Sequence, residues 1–376
     1  MTATIPIYQG NDFYAPAFAV RIRSTDLPEI VARDVISVSY KDSLDALDTV
    51  DLVLNNWDDA STAPTNFIYA VDDSAPYADL WTFDQDTIYE VDMGYEEAGL
   101  VPMLAGTLES LEPHYPADGA PSLAVRLVNR LKLLKDQQNT KTWTNVSTAD
   151  IAQTIARSHN LSIALSTHKN DDDGPQPYVF QQNQYDIVFL MQRARRIGYE
   201  IWLQDDGTLY FGPSTPGDGG GAITYKLGFH RSMIDFSPHF TMSNQVGTVK
   251  VTARDQLSKA TFTGQATRAD IGLNQDLESF VTDTIRAQTK TVSNMPLQVN
   301  GQAQQLAREV MRNIMEQMLT ATVNCPGLPG IRAGTMVEIT DVGSRFSGPY
   351  FVTSSTHTID DSGYRTSFTA RRENYA

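Results

Sequence analysis

Cysteine is almost missing from this chain: Cys325 stands alone among 376 residues. One thiol can form neither an intrachain disulfide nor a cysteine-based metal centre, so Cys325 reads as a small apolar residue at a strand end. Cations are scarce too. Lys and Arg number 29 against 45 Asp and Glu, a net charge of −16, with a pI near 4.7. A field of that sign argues against nucleic-acid recognition through general electrostatics, and against an anionic membrane surface. No apolar run approaches the roughly twenty residues of a membrane helix. The segment 1–10 lacks the basic and apolar regions of a signal peptide. These absences lead us to expect synthesis in the cytoplasm and no membrane insertion.

Recognisable catalytic patterns are missing as well. The six histidines (His114, His159, His168, His230, His239 and His357) fall in no HExxH, Cys/His or GxSxG context. A glycosidase needs two carboxylates about 5–9 Å apart; Glu109 and Glu112 are candidates in a strand-like and loop region that nothing else marks. Asn56 to Asp86 carries Asp58, Asp59, Asp72, Asp73, Asp79, Asp84 and Asp86, but the spacing fits no EF-hand loop and lacks its central glycine. We read it as an acidic insertion between two strands. Its Trp57, Tyr69, Tyr77 and Trp81 imply that it packs on something, and Trp57 and Trp81 could serve a carbohydrate-binding β protein. The expectation is no enzyme, no catalytic residues, no cofactor and no metal.

What the chain does hold is alternation. A chain this long calls for two or three domains. Strand patterns run over 17–23, 31–40, 49–54, 87–94, 101–111, 123–127 and 130–134. A helix is predicted over 147–159, with Ser147 and Asp150 spaced as a capping box. Polar breaks follow at 169–177 and 214–221. Strands resume from Met233: 248–254 alternates cleanly, and 258–264 can pair with it across Asp255-Gln256. The stretch 265–294 reads as irregular. A helix near 301–318 presents Ala303, Leu306, Ala307, Val310, Met311, Ile314, Met315 and Met318 on one face. Strands at 320–324, 336–340, 350–360 and 364–371 close the chain.

Two phrases stand out. The first, NQYDIVFLMQRARRIGYEIWLQDDGTLYFGP, runs from Asn183 to Pro213. It reads as an amphipathic helix over 184–197, capped by Asn183 and stopped at Gly198, then a hairpin over 199–212 with Tyr199 and Tyr210 in its strands and Asp205-Asp206-Gly207 as its turn. The second, Pro326 to Glu373, contains Phe346-Ser347-Gly348, Tyr350-Phe351-Val352, His357, Gly363-Tyr364, Thr366, Phe368 and Arg371. Together and in this order they resemble the phage late-control D or baseplate-hub family, and the hub part of VgrG proteins of type VI secretion and extracellular contractile injection systems.

That resemblance implies a mainly β chain in which two tube-type antiparallel β-barrel or sandwich domains flank a small α/β insert. Drawn on this sequence, the first β domain is 1–135 with insertion 56–86, the insert is 136–232, and the second β domain is 233–376. Three chains would form a ring around a channel, adapting a sixfold tail tube above to a threefold spike below, among other baseplate proteins of a virion tail or injection particle. VgrG proteins continue into a spike, whereas this sequence ends at Ala376, so a separate spike protein is expected. The residues carried over are structural: Gly198, Tyr199, Gly207, Tyr210, Gly348, Tyr350, His357, Gly363, Tyr364 and Thr366. A tail-associated cell-wall-degrading enzyme is the alternative, beside the carbohydrate-binding one.

Overall fold

The computed structural model describes residues 5–6, 13–59, 66–69, 76–77, 79–84, 86–165, 174–204, 207–213, 223–254, 261–293 and 300–374. Strand makes up 48% and helix 20%, as the alternation leads one to expect. The turns at 205–206 and 255–256, the break at 214–221, and His168, Asp72 and Asp73 lie outside the described residues.

Among the described residues a 14-stranded sheet dominates. Its pivot is the strand Gly348–Asp360. One edge pairs with Gly363–Arg372 from end to end. The other edge pairs first with Met336–Thr340, through residues 348–351. Beyond a bulge at Thr353 it switches to Val35–Ser43, through residues 354–359. The extra residue twists the strand locally. One strand therefore runs from the C-terminal β region into the N-terminal one.

Two apolar cores follow from this. The first gathers Leu52, Leu54, Tyr89, Val91, Met93, Leu123 and Val125, and takes in Ile359 and Tyr364 from the tip of the C-terminal hairpin. Tyr69 and Trp81 of the acidic insertion are buried in it, so that segment does pack. The second gathers Leu319, Val323, Cys325, Ile339, Tyr350, Val352 and Phe368. Burying an aromatic such as Tyr350 or Phe368 fully contributes about 1.5–3 kcal/mol. Cys325 sits there with no exposed surface, and burial pushes its thiol well above the usual range.

A third core packs helices Thr148–Ser158 and Asp186–Arg196 against Tyr199–Leu203 and Leu209–Pro213. The predicted capping box is present: Ser147 Oγ accepts from Asp150 N, and Asp150 accepts from Ser147 N. A fourth core lays helix Asn300–Glu316 on strands Thr248–Arg254, Thr261–Thr267 and Thr289–Ser293. Gly264 is required there: a β-carbon would lie 2.2 Å from the Ala303 carbonyl.

Several expectations are corrected. Residues 29–34 form a short helix, and the strand starts at Val35. Pro28 sits at its N-cap and Glu29 pairs with Arg33 one turn on, which favours helix over the alternation of Val31. Residues 130–135 form a 3-10 helix, because Asn129 Oδ1 accepts from Leu131 N and the three-residue turn buries Leu131 and Leu134 on one side. Asn183 does not cap the helix. It lies in strand Val179–Tyr185 with φ +44, and Tyr185 holds the N-cap. The stretch 265–293 carries three short helices and strand Thr289–Ser293, parallel to Thr248–Arg254. Strand Ile223–Gly228, parallel to Met336–Thr340, is an element the sequence reading did not name.

Candidate functional site

Most of the second phrase converges where the pivot strand crosses between the two β regions. His357 is fully buried there. Its Nε2 lies 2.9 Å from the Ile331 carbonyl, which can only accept, so Nε2 carries the proton. Nδ1 is then an acceptor, 3.0 Å from Thr366 Oγ1 and 3.2 Å from Tyr364 Oη. Thr366 Oγ1 also accepts from Leu328 N at 2.9 Å. Burial, with the Arg332 cation second, pulls the imidazole down to about 3, so it is neutral at any ordinary pH. A base hidden from solvent with every partner inside the fold is a structural group.

The same seam holds Asp42, whose carboxylate accepts from Ala333 N at 2.8 Å and from Ser355 N at 2.9 Å. Burial raises its carboxyl. Asp48 is pushed up to about 7, by burial first and Asp42 second. Arg332 sits 5.0 Å over the Tyr40 ring and donates to Tyr40 Oη and to the Met103 carbonyl. Residues more than two hundred positions apart are thus locked together.

A second cluster lies at the open end of the hairpin. Arg371 meets Glu373 at 3.1 Å, Glu316 at 3.3 Å and Glu200 at 3.4 Å, and its guanidinium lies 4.8 Å over the Phe351 ring. Burial is the main cause pushing Glu316 up to about 7, and it raises Glu200 as well. This cluster joins the insert hairpin, the long helix and the last strand. Neither phrase hinted at Glu316; its position at the end of an amphipathic helix was the only signal.

The remaining phrase residues are placed as follows. Tyr350 is buried, and its hydroxyl donates to the Phe346 carbonyl at 2.8 Å. Gly348 has φ +135, and a β-carbon there would lie 2.1 Å from the Arg372 guanidinium. Gly363 (φ +105) follows the two-residue turn 361–362. Gly198 (φ +67) ends the helix, and Gly207 has φ +76. Tyr199 packs edge-on against Phe211, and Tyr210 stacks on Trp202 at 4.0 Å between centroids. The two phrases do not form one site. The first builds the third core, and the second builds the seam.

Glu109 and Glu112 are exposed on strand Gly99–His114, where Glu112 accepts from Ser110 Oγ at 3.3 Å. Trp81 is buried and stacked on Tyr89, and so cannot receive a sugar, while Trp57 Nε1 donates to Asp59. Among the described residues no group of three or more His, Cys, Asp or Glu is placed to hold a metal ion, and no helix is long and apolar enough to cross a membrane.

The fold is shared with phage tail proteins. A 43 kDa tail protein of prophage MuSo2 from Shewanella oneidensis superposes with a TM-score of 0.69 at 13% identity, over 96% of this chain and 100% of that one. A tail protein from Neisseria meningitidis MC58 gives 0.67 at 14% identity, over 95% and 97%. An E. coli component of the type VI secretion system, described as similar to T4 bacteriophage tail proteins, gives 0.54 at 13% identity, over 93% and 76%. No curated protein matches the sequence significantly. The family model described as the Alg8 N-terminal domain matches residues 88–361, from the strand Tyr89–Tyr95 through His357. With that match spanning well over half of the sequence, the chain belongs to the Alg8 N-terminal domain family.

Proposed function

We propose that this protein is a structural baseplate hub of a phage tail or phage-like injection machine, of the late-control D type. The observation that carries the reading is end-to-end agreement of fold with a phage tail protein, over 96% of this chain and 100% of that one. In this reading the chain divides into β domains 1–135 and 233–376 around the insert 136–232. Three copies close into a ring between tube and spike, and the role is assembly without turnover. The long pivot strand suits such a part, since it couples both β regions rigidly and leaves little freedom at their junction. Ring closure would also cover sheet edges that otherwise invite aggregation. The lumen is expected to be polar or acidic, since an apolar lining would trap a passing chain.

Native mass spectrometry of the purified protein tests this. A species of three 41.6 kDa chains is expected. A stable monomer or dimer at micromolar concentration, unchanged by adding tube and spike proteins, would overturn it.

A further inference from the structure

A cleft of about 370 Å³ opens between strand Val179–Tyr185, helix Asp186–Arg196 and helix Asn300–Glu316. It plays no part in the seam around His357 or the cluster around Arg371. Its volume suits a small ligand. We propose that it binds a saccharide carrying an acidic substituent.

The first argument is the outward face of the strand. Tyr178, just before the strand, and Phe180 within it are 46% and 45% exposed, with rings 6.4 Å apart and 20° from parallel. Large aromatic side chains left in water as a pair mark a binding surface more often than a scatter of single apolar residues does. A ribbed aromatic surface suits the C–H face of a sugar ring.

The second argument is the polar lining. Six of the lining side chains are glutamines, among them Gln182 and Gln192. Each amide offers two donors and an acceptor, which matches hydroxyl groups that both give and take hydrogen bonds. Gln305 is only 8% exposed, yet its Nε2 has no hydrogen-bond partner among the described residues. A buried amide left unmatched costs about 1–3 kcal/mol. A ligand oxygen in the cleft would satisfy it.

The third argument is charge. On a chain of net −16, no carboxylate among the described residues lines this cleft, whereas the exposed Arg196 and the buried Arg193 both do. Arg196 at the rim would meet a uronate or sialate carboxylate.

The test is a microarray of neutral hexose and N-acetylhexosamine oligosaccharides beside uronate- and sialate-containing ones, probed with the full chain. Calorimetric titration of the best-retained glycan follows. Acidic glycans should be retained. Replacing Tyr178 and Phe180 together by Ala should weaken binding about tenfold or more, with the melting temperature nearly unchanged because both are exposed. Arg196→Gln should abolish the preference for acidic over neutral glycans. Gln305→Leu should weaken binding while raising the melting temperature, an outcome that a purely structural amide would not give. Absence of any retained glycan, or retention unaltered in the double variant, would overturn the proposal. So would hydroxyl-radical footprinting that finds Tyr178 and Phe180 shielded by another chain in the native assembly. None of these outcomes bears on whether three copies form a ring.

Discussion

The C-terminal hairpin is anchored near its tip by a neutral cluster around His357 and at its open end by a charged one around Arg371. Both are buried and both join segments far apart in sequence. Near the tip, one imidazole is matched by a carbonyl and three hydroxyls, and the ring itself carries no charge out of water. At the open end, one guanidinium faces three carboxylates, and burial first, with the neighbouring carboxylates adding to it, pushes Glu316 up to about 7. Both respond to pH, but with opposite sign: acidification weakens the cluster around His357 and relieves the one around Arg371, which loses its closest counter-charge if that arginine is removed.

The harshest way to break this contrast is Arg371→Met. Removing one partner of a buried ion network costs about 3–5 kcal/mol, because the carboxylates stay buried without a counter-charge. Protonating them relieves that cost. A raised carboxyl gives its stability at low pH and loses it as pH rises through the folded value. Urea titrations should therefore show a much larger loss at pH 8 than at pH 5. Equal losses at both would mean that the arginine acts through packing on Phe351 alone.

His357→Ala should cost about 2–4 kcal/mol at pH 7, from the cavity and from the unpaired Ile331 carbonyl. Here the sign with pH is reversed. The folded imidazole sits at about 3, below its ordinary 6.5, so its contribution is complete above 6.5 and is lost as pH falls toward 3. The gap between parent and variant should narrow steadily from pH 7 to pH 4. A constant gap would show that the imidazole is not held neutral.

Glu316→Gln sharpens the comparison. In the parent, the raised carboxyl makes stability fall as pH climbs from about 4.5 to about 7. The variant should lack that decline and be about 1–2 kcal/mol more stable at pH 8 yet nearly unchanged at pH 5. A variant less stable at pH 8 would mean that the Arg371 contact outweighs burial.

The smallest effect belongs to Gly198→Ala. The left-handed backbone at φ +67 costs a residue with a β-carbon about 1 kcal/mol. The β-carbon would also come within 2.7–2.9 Å of the Glu309 carboxyl, a flexible group that can move. A shift in melting temperature of a few degrees is expected, and thermal unfolding would detect it.

Local rules in the sequence determined a good deal here. Ser147 and Asp150 fixed a helix start because a cap needs only neighbours in the chain. The alternation at 248–254 and the apolar face of 303–315 fixed a strand and a helix for the same reason, since burial on one side imposes a period. Gly348 and Gly363 announced turns because of their backbone freedom. The sequence also marked His357, Tyr364 and Thr366, but as a pattern without a purpose. Only the tertiary structure decided that these three share one hydrogen-bond cluster against Ile331 and Leu328, and that the pivot strand changes partner at Thr353. It alone decided that Glu200, Glu316 and Glu373 meet one arginine, and that a strand at 223–228 pairs in parallel. Sheet partners and buried charges are chosen by groups distant in sequence, through pairing and desolvation that no local window contains.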